Sequence, residues 1–388
     1  MTTDPWLDRR FPDAAAMEAT ALRRIPGFAR DYLSGGIGAE TCLARNRADL
    51  DRAILMPRHL VEDAAPDLSV TIAGQRLTAP FGVAPLGLGG LLWPGCETAI
   101  ARAAGQAGVG HVLSTYATTA MEEIRPLAGP TAWFQLYPPA DEGMERAMID
   151  RAAAAGYRNL VVTVDIPGPT RRRRDIRSGL VVPPRIGPRM MAQIARHPGW
   201  ALRAARTGIP EFRNLSPYFP AGSGLAGAAE FLGRMMQGHI GPTRLSRIRA
   251  AWQGPLLVKG VLGREDAATA LDLGADGIIL SNHGGRQLDA APTAAQVLPQ
   301  IRDHLGEGAL ILADGGVRSG LDIARMVALG ADAVLVGRPF LHAAAAIGPR
   351  GPGHLIAVLH EELATTMVQL GCGSLAQLRG RVAGPAPF

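Results

Sequence analysis

The stretch Ser281-Asn-His-Gly-Gly-Arg-Gln-Leu-Asp289 holds the densest set of chemically able side chains in the sequence. A histidine near a carboxylate is the usual general base at neutral pH. Arg286, three residues after His283, has the planar fork that grips a carboxylate. The glycines between them allow a sharp turn and close approach to a ligand. Lys259 is the only lysine among 40 basic residues and sits inside the apolar run PLLVKGV. A buried ammonium needs an anion or must lose its proton. Two readings follow: an ion pair with Asp165 or Asp314, or a charge held against a cofactor or carbonyl. The second is favoured, because the run should cross a barrel interior. Asp314-Gly-Gly-Val-Arg318 and Gly337-Arg338-Pro339 are glycine-rich turns carrying arginine. Such turns suit a phosphate group.

These residues need a scaffold, and the chain supplies a repeating one. Eight short apolar runs alternate with helical stretches: FGVAP (81–85), HVLST (111–115), TAWFQLY (131–137), NLVVTVD (159–165), PLLVKGV (255–261), GIILSNH (277–283), LILADGG (310–316) and AVLVGRP (333–339). Most lack polar alternation in their middles, as strands buried on both faces should. Eight strand–helix units predict an α/β fold, a (β/α)8 TIM barrel over 81–388. A helical N-terminal region and a hairpin around LSVTIAGQRLTAP occupy 1–80. A long insertion, 168–254, follows the fourth strand and is expected to cover the active site. In such barrels the site lies at the C-terminal strand ends. Polar residues collect there: Ser114, Thr115, Gln135, Tyr137, Thr163, Asp165, Lys259, Ser281, His283, Asp314 and Arg338. Chance would scatter them, so this end-loading marks an enzyme. The placement of the two arginine turns after the last strands matches the phosphate site common in these barrels.

Composition narrows the class further. The chain has 388 residues, 47% hydrophobic and 19% charged, which excludes collagen, coiled coil and wholesale disorder. No stretch of about 20 residues is apolar and free of breaks, so no spanning helix is expected. The first residues, MTTDPWLDRRFPD, lack the apolar centre of a secretory signal. Cys42, Cys96 and Cys372 form neither a metal spacing nor a disulfide framework, which predicts a cytoplasmic protein without a metal. The net charge is +6, but arginine replaces lysine almost everywhere, so no nucleic-acid partner is read from it. Gly222 to Gly227 formally match G-x-G-x-x-G, and are rejected as a dinucleotide site because no strand precedes them. Within the insertion, PRMMAQIARHPGWALRAARTGIP puts Arg189, Arg196, Arg203 and Arg206 beside Met190, Met191, Ile194, Trp200 and Leu202. It reads either as a segment lying on the inner face of a membrane or as apolar packing on the barrel with arginines facing water.

Taken together, SNHGGRQLD, LVKGV before it and DGGVRSGLDIARMVALGADAVLVGRP after it resemble the FMN-dependent 2-hydroxy acid oxidoreductases. That family includes glycolate oxidase, lactate monooxygenase and mandelate dehydrogenase. Further likeness lies in IPGFARDYLSGG, ARNR, VAPLGLGGLLWP, LSTYATTAMEEI, WFQLY and TVDIPGPTRRRRDIR, and covers about Ile25 to Arg379. The resemblance implies that His283 takes a proton from the substrate and that Asp165 orients it. It implies that Tyr32, Arg172 and Arg286 hold the substrate carboxylate and that Tyr137 bonds the substrate oxygen. It places Lys259 beside the flavin, with Pro85, Leu86, Gly87, Ser114, Gln135, Thr163 and Ser281 around the ring. Asp314, Gly315, Gly316, Arg318, Gly337 and Arg338 would bind the ribityl chain and phosphate of FMN.

Gly87 stands where oxidases of the family typically carry alanine, which resembles lactate monooxygenase and mandelate dehydrogenase instead. LGGLLWP and RHPGWALRAARTGIPEF look most like the mandelate dehydrogenase branch. The expectation is therefore a homotetrameric dehydrogenase that oxidises an (S)-2-hydroxy acid with an aromatic side chain and passes electrons to a quinone. Tyr116, where many members carry tryptophan, would flank that side chain. The alternatives are an L-lactate-type dehydrogenase or an oxidase using oxygen, an FMN-barrel isomerase that would have no need of the His283/Arg286 pair, and a non-catalytic flavin-binding protein.

Overall fold

The computed structural model describes residues 4–62, 65–180, 187–208, 210–220, 222, 227, 230–233 and 239–383. Eight parallel strands close a barrel: β1 (Phe81–Val83), β2 (Gly110–Ser114), β3 (Ala132–Leu136), β4 (Asn159–Thr163), β5 (Leu256–Val261), β6 (Gly277–Leu280), β7 (Ile311–Asp314) and β8 (Ala333–Val336). Each pairs with its sequence neighbour, and β8 closes on β1 with Val334 opposite Phe81. The TIM barrel expected from the sequence is the fold. Most strands stop before the apolar run does, because the last residues of each run turn into the loops.

A strand sends alternate side chains to opposite faces. Outward residues such as Phe134, Leu160, Val258, Ile278 and Val334 join the large core under the surrounding helices. Inward residues Val112, Trp133, Val161, Leu257, Ile279, Leu312 and Leu335 form a second, smaller core inside the barrel. The N-terminal hairpin, Val70–Ile72 paired with Gln75–Leu77, closes this core from below. Ile72 and Leu77 belong to it, and Trp133 Nε1 donates to Gln75 Oε1 at 2.6 Å.

The N-terminal helices share the barrel's outer core rather than building one of their own. Met17, Ile25, Phe28, Leu33 and Leu50 are all buried in it. Helix Ala14–Arg24 lies along helix Arg338–Ile347. The insertion contains helices Arg173–Ser178, Pro188–Ala195 and Pro198–Thr207. Residues Pro242–Ala251, read from sequence as the end of the insertion, form a helix on the barrel wall, where Arg244 pairs with buried Glu145 at 2.8 Å. The glycine pattern at 222–227 falls largely outside the described residues.

In the segment 188–207 some apolar residues pack on the barrel and others face outward. Met190 and Trp200 are buried, and the Trp200 ring meets Phe28 edge-on at 5.7 Å while Nε1 donates to Leu91 and Leu92 carbonyls. Met191 and Leu202 are each 55% exposed, beside exposed Arg189, Arg196 and Arg206. Among the described residues no helix is long and apolar enough to cross a membrane.

Candidate active site

Two residues above each apolar floor residue, the same inward alternation delivers a polar one. Val112 is followed by Ser114, Trp133 by Gln135, Val161 by Thr163, Leu257 by Lys259, Ile279 by Ser281 and Leu312 by Asp314, while on β8 the position after Leu335 is Gly337 and carries no side chain. Lys259 Nζ lies 2.9 Å from Asp314 Oδ2 and donates to Ser281 Oγ at 2.7 Å. The ion pair left open by the sequence is thus made with Asp314, on the next strand but one of the barrel wall. Ser114 Oγ donates to Gln135 Oε1 at 3.1 Å. Gln135 Nε2, Thr163 Oγ1 and Asp314 Oδ1 are buried without partners. Each unmade bond costs about 1–3 kcal/mol. Three such atoms in one layer mark a surface shaped for a planar polar group.

Two residues higher again come Tyr137, Asp165 and His283. His283 Nδ1 lies 3.0 and 3.2 Å from the two Asp165 oxygens, and Nε2 lies 3.2 Å from the Tyr137 hydroxyl. Burial works to raise the Asp165 carboxyl, but His283 and Lys259 outweigh it and hold it below the usual range. Burial and the Asp165 charge push the Tyr137 phenol far up, so it stays a neutral donor. His283 has φ +59°, in the left-handed region, followed by Gly284 and Gly285 at +63° and +74°. A non-glycine residue there is costly, and such strain gathers at active sites. The Ser281 hydroxyl accepts from the His283 N–H at 3.0 Å and braces the turn. Gly260, at φ +103°, is the other special backbone position. A Cβ there would sit 2.5 Å from the Asp165 Cβ, and the β5–β6 register shifts at this point. Asp165 can approach His283 only because residue 260 has no side chain.

Arg286 overlooks this base. Its Nη1 donates to the carbonyls of Tyr32 and Gly35 at 2.7 and 2.9 Å, and its guanidinium lies 4.7 Å above the Tyr32 ring. Nη2 is buried with no partner. Burial and nearby Arg172 depress its pKa. Arg172 itself has a buried, unpartnered Nε and reaches only Asp175, at 3.9 Å. Arg172 and Arg286 thus stand close together, each with a buried N–H that has no partner. Beside them the Tyr116 ring stands 5.1 Å from Tyr137 and meets Phe212 edge-on at 5.4 Å. Pro85, Leu86 and Gly87 are half-buried, and a Cβ on Gly87 would lie 3.1 Å from the Tyr116 Cβ.

The last cluster lies at the ends of β7 and β8. Arg338 donates to the carbonyls of Leu33, Gly35 and Gly284 at 2.8 to 3.1 Å. It is half-buried, and burial with the charges of Arg286 and Arg318 pushes it down to about 9. Arg318 is likewise depressed by burial. Its closest carboxylate oxygen, on Glu18, is 4.0 Å away. Gly315 and Gly316 pass tightly by Asn46, whose carbonyl would lie 2.4 Å from a Cβ on Gly316. These two half-buried cations lean on carbonyls, which carry no full charge, so the site favours an anion.

Of the residues expected from the sequence, the structure brings together Tyr137, Asp165 and His283, Lys259 with Ser281 and Asp314, Ser114 with Gln135, and Arg286 with Tyr32. Sequence reasoning missed Gly260, and it missed Asn46, which exchanges amide hydrogen bonds with Asn282 at 3.0 and 2.8 Å. It also missed the task of Asp289, which accepts from the N–H groups of Ala39 and Cys42 and fastens the His283 loop to the N-terminal segment. The ARNR stretch was the one available pointer to Asn46.

Residues 21–384 match the family described as FMN-dependent dehydrogenase. The chain is 42% identical to an L-lactate dehydrogenase of Caulobacter vibrioides (strain NA1000 / CB15N), covering 92% of this chain and 94% of that one. It is also 42% identical to an L-lactate dehydrogenase of Ectopseudomonas mendocina (strain ymp), covering 93% and 95%. Among solved structures, a monotopic membrane protein, (S)-mandelate dehydrogenase, superposes with a TM-score of 0.89 at 34% identity, covering 94% of this chain and 97% of that one. A mandelate oxidase superposes at 0.80 with 34% identity, covering 96% and 98%.

Proposed function

The chain belongs to the FMN-dependent dehydrogenase family, and from that premise we propose that it oxidises an aromatic (S)-2-hydroxy acid to the 2-oxo acid and delivers the electrons to a quinone at a membrane surface. FMN is the cofactor, and oxidation of a 2-hydroxy acid is the family reaction. The mouth fits that group: unpartnered Gln135, Thr163 and Asp314 atoms face one layer, and two half-buried arginines stand at its end. Pro85, Leu86, Gly87, Ser114, Gln135, Thr163 and Ser281 would hold the ring. Asp314, Gly315, Gly316, Arg318, Gly337 and Arg338 would hold the ribityl phosphate. When bound, FMN supplies the two-electron oxidant. Lys259 supplies the positive charge that favours added electron density on the ring.

The chain's own residues do the rest. Arg286 and Arg172, with Tyr32, bind the substrate carboxylate. Tyr137 donates to the substrate oxygen. His283 takes up the proton the substrate loses, and Asp165 fixes the ring and stabilises the resulting imidazolium. The observation that carries this reading is the His283–Asp165–Tyr137 group beneath the unused Arg286 Nη2. The aromatic preference rests on the cluster of Tyr116, Tyr137 and Phe212 rings and on Gly87, whose missing side chain leaves room beside Tyr116. A second reading, L-lactate as substrate, is favoured by the names of the 42%-identical relatives. The membrane contact rests on exposed Met191 and Leu202 among Arg189, Arg196 and Arg206, and on the structural neighbour titled monotopic. We read the protein as a cytoplasmic homotetramer held peripherally at the inner face of the membrane.

Anaerobic mixing with a panel of (S)-2-hydroxy acids tests the chemistry through bleaching of the flavin. Mandelate should bleach it fastest. Faster reduction by lactate or glycolate would replace the aromatic reading with the second one. A flavin that no member of the panel bleaches would end both. Flotation with anionic vesicles tests the membrane contact, which fails if the protein stays at the bottom at low salt.

A further inference from the structure

Histidines other than His283 read as structural from sequence, and one of them does not fit that reading. His342 lies on helix Arg338–Ile347, one turn beyond Arg338 on the same side, and is 1% exposed. Neither of its ring nitrogens has a hydrogen-bond partner. A residue that merely filled space there would do so better without two polar atoms, each costing about 1–3 kcal/mol unpaired. Its surroundings are charged. Glu18 Oε2, from helix Ala14–Arg24, lies 3.9 Å from His342 Nδ1 and 4.0 Å from Arg318 Nε. The charges of Arg318 and Arg338 both reach the ring, and with burial they push it down to about 3, so it stands neutral. Other charged groups on the packed elements are turned elsewhere. Asp322 bonds Arg47 and Arg325, Glu362 accepts from the Gly320 N–H, and Arg24 donates to the Ala346 carbonyl. Glu18 is therefore a carboxylate shared at equal distance between one arginine and one idle imidazole, at the positive end of a ten-residue helix.

We propose that His342 is a further residue of the FMN phosphate site: when the phosphate engages Arg318 and Arg338, Glu18 passes from Arg318 to His342, the ring takes up one proton from solvent, and the phosphate then faces three cations. The inference rests on the reading that Arg318 and Arg338 bind the phosphate. The reasoning is one of compensating charge. Burial and, after it, the two arginines keep the imidazole neutral, and a dianion placed against the arginines cancels their share of the effect. The carboxylate already 3.9 Å away then favours the protonated ring. By linkage, a group protonated in the complex and neutral without it strengthens binding as pH falls.

The test compares FMN retention by the holoenzyme, read as fluorescence of flavin released on dilution, in wild type and H342Q. Riboflavin, which lacks the phosphate, is the competing ligand. Near the ordinary histidine value of 6.5 the wild type should hold FMN about tenfold more tightly than H342Q, the worth of one charge-assisted hydrogen bond. The gap should narrow towards about pH 8.5, and riboflavin affinity should be equal in both proteins. Equal FMN retention with the same pH profile would overturn the proposal. R318Q separates the two layers. A wild type that holds riboflavin as tightly as FMN refutes the phosphate reading itself. Discrimination lost in R318Q but kept in H342Q refutes only the role of His342. Histidine C2 hydrogen exchange on the wild-type holoenzyme gives a reading free of any substitution. It should show the His342 ring titrating near or above its ordinary value, and a ring still neutral at about pH 5 would overturn the proposal.

Discussion

The floor and the mouth of the barrel are built from the same strands, two residues apart. In the floor, Val112, Trp133, Val161, Leu257, Ile279 and Leu312 fill the interior against Ile72 and Leu77 of the hairpin. In the mouth, Ser114, Gln135, Thr163, Lys259, Ser281 and Asp314 repeat the same inward direction with polar groups, several of them unpartnered. The difference teaches that burial alone does not separate stability from function here, since both layers are almost wholly enclosed. What separates them is whether the enclosed atoms have what they need. The floor is satisfied by the protein, whereas the mouth carries unmet hydrogen bonds and like charges that only ligands can relieve.

Substitutions in the two layers should therefore fail in opposite ways. The largest effect is expected for His283→Ala. Anaerobic flavin reduction should fall about 10²–10⁴-fold, while FMN content and thermal midpoint hold. A melting temperature that fell with the rate would blur the distinction. Trp133→Ala is the counterpart in the floor. Stability should drop by about 3–5 kcal/mol in denaturant titration, with the reduction rate of the folded fraction unchanged.

Acid should reveal the outer face of the same strands. His111 on β2 is buried beside the floor, and burial pushes its pKa down to about 4 from the ordinary 6.5. The unfolded chain binds the proton more readily, so stability should fall as pH drops from 6.5 to about 4, by about 3 kcal/mol in all. Denaturant midpoints across that window measure it, and H111Q should flatten the slope. Arg286→Lys keeps the charge but loses the fork. Substrate binding should weaken about tenfold in anaerobic titration, with FMN retained. The smallest effect is expected at Gly87→Ala, whose Cβ would press on Tyr116 at 3.1 Å. The ratio of mandelate to lactate turnover should fall about fivefold, and an unchanged ratio would take Gly87 out of substrate selection.

Most of this contrast was legible in the sequence. Strands enclosed on both faces need continuous apolar runs, and a layer facing ligands needs polar residues where those runs end. Both patterns depend only on period and position, so eight strands and the cluster from Ser114 to Arg338 stood out. What stayed hidden depends on distances between separate strands. Lys259 pairs with Asp314 rather than Asp165 because β5 and β7, the alternate strands on either side of β6, send side chains into the same inward layer, which spacing along the chain does not encode. Gly260 resembled any loop glycine until the Asp165 side chain was seen to need its space. The Pro242–Ala251 helix was masked by the irregular, arginine-rich stretch before it, and its place on the wall comes from Glu145, about a hundred residues earlier in the chain. The 188–207 segment carried both apolar and basic signals because it serves two surfaces, with Trp200 turned inward and Leu202 outward.

The arginine contacts across the mouth also set an order of events in the life of the chain. Arg286 and Arg338 hold carbonyls at Tyr32, Leu33 and Gly35, partners separated by 251 to 305 residues. The segment that completes the site leaves the ribosome well before the arginines that anchor it. At about 5–20 residues per second, the interval between them is roughly 15–60 s. Throughout that time Met17, Ile25, Phe28 and Leu33, all buried in the finished protein, have no barrel to cover them. The front of this enzyme is thus an apolar strip that must wait for the back, and during synthesis it is the part of the chain most in need of a chaperone.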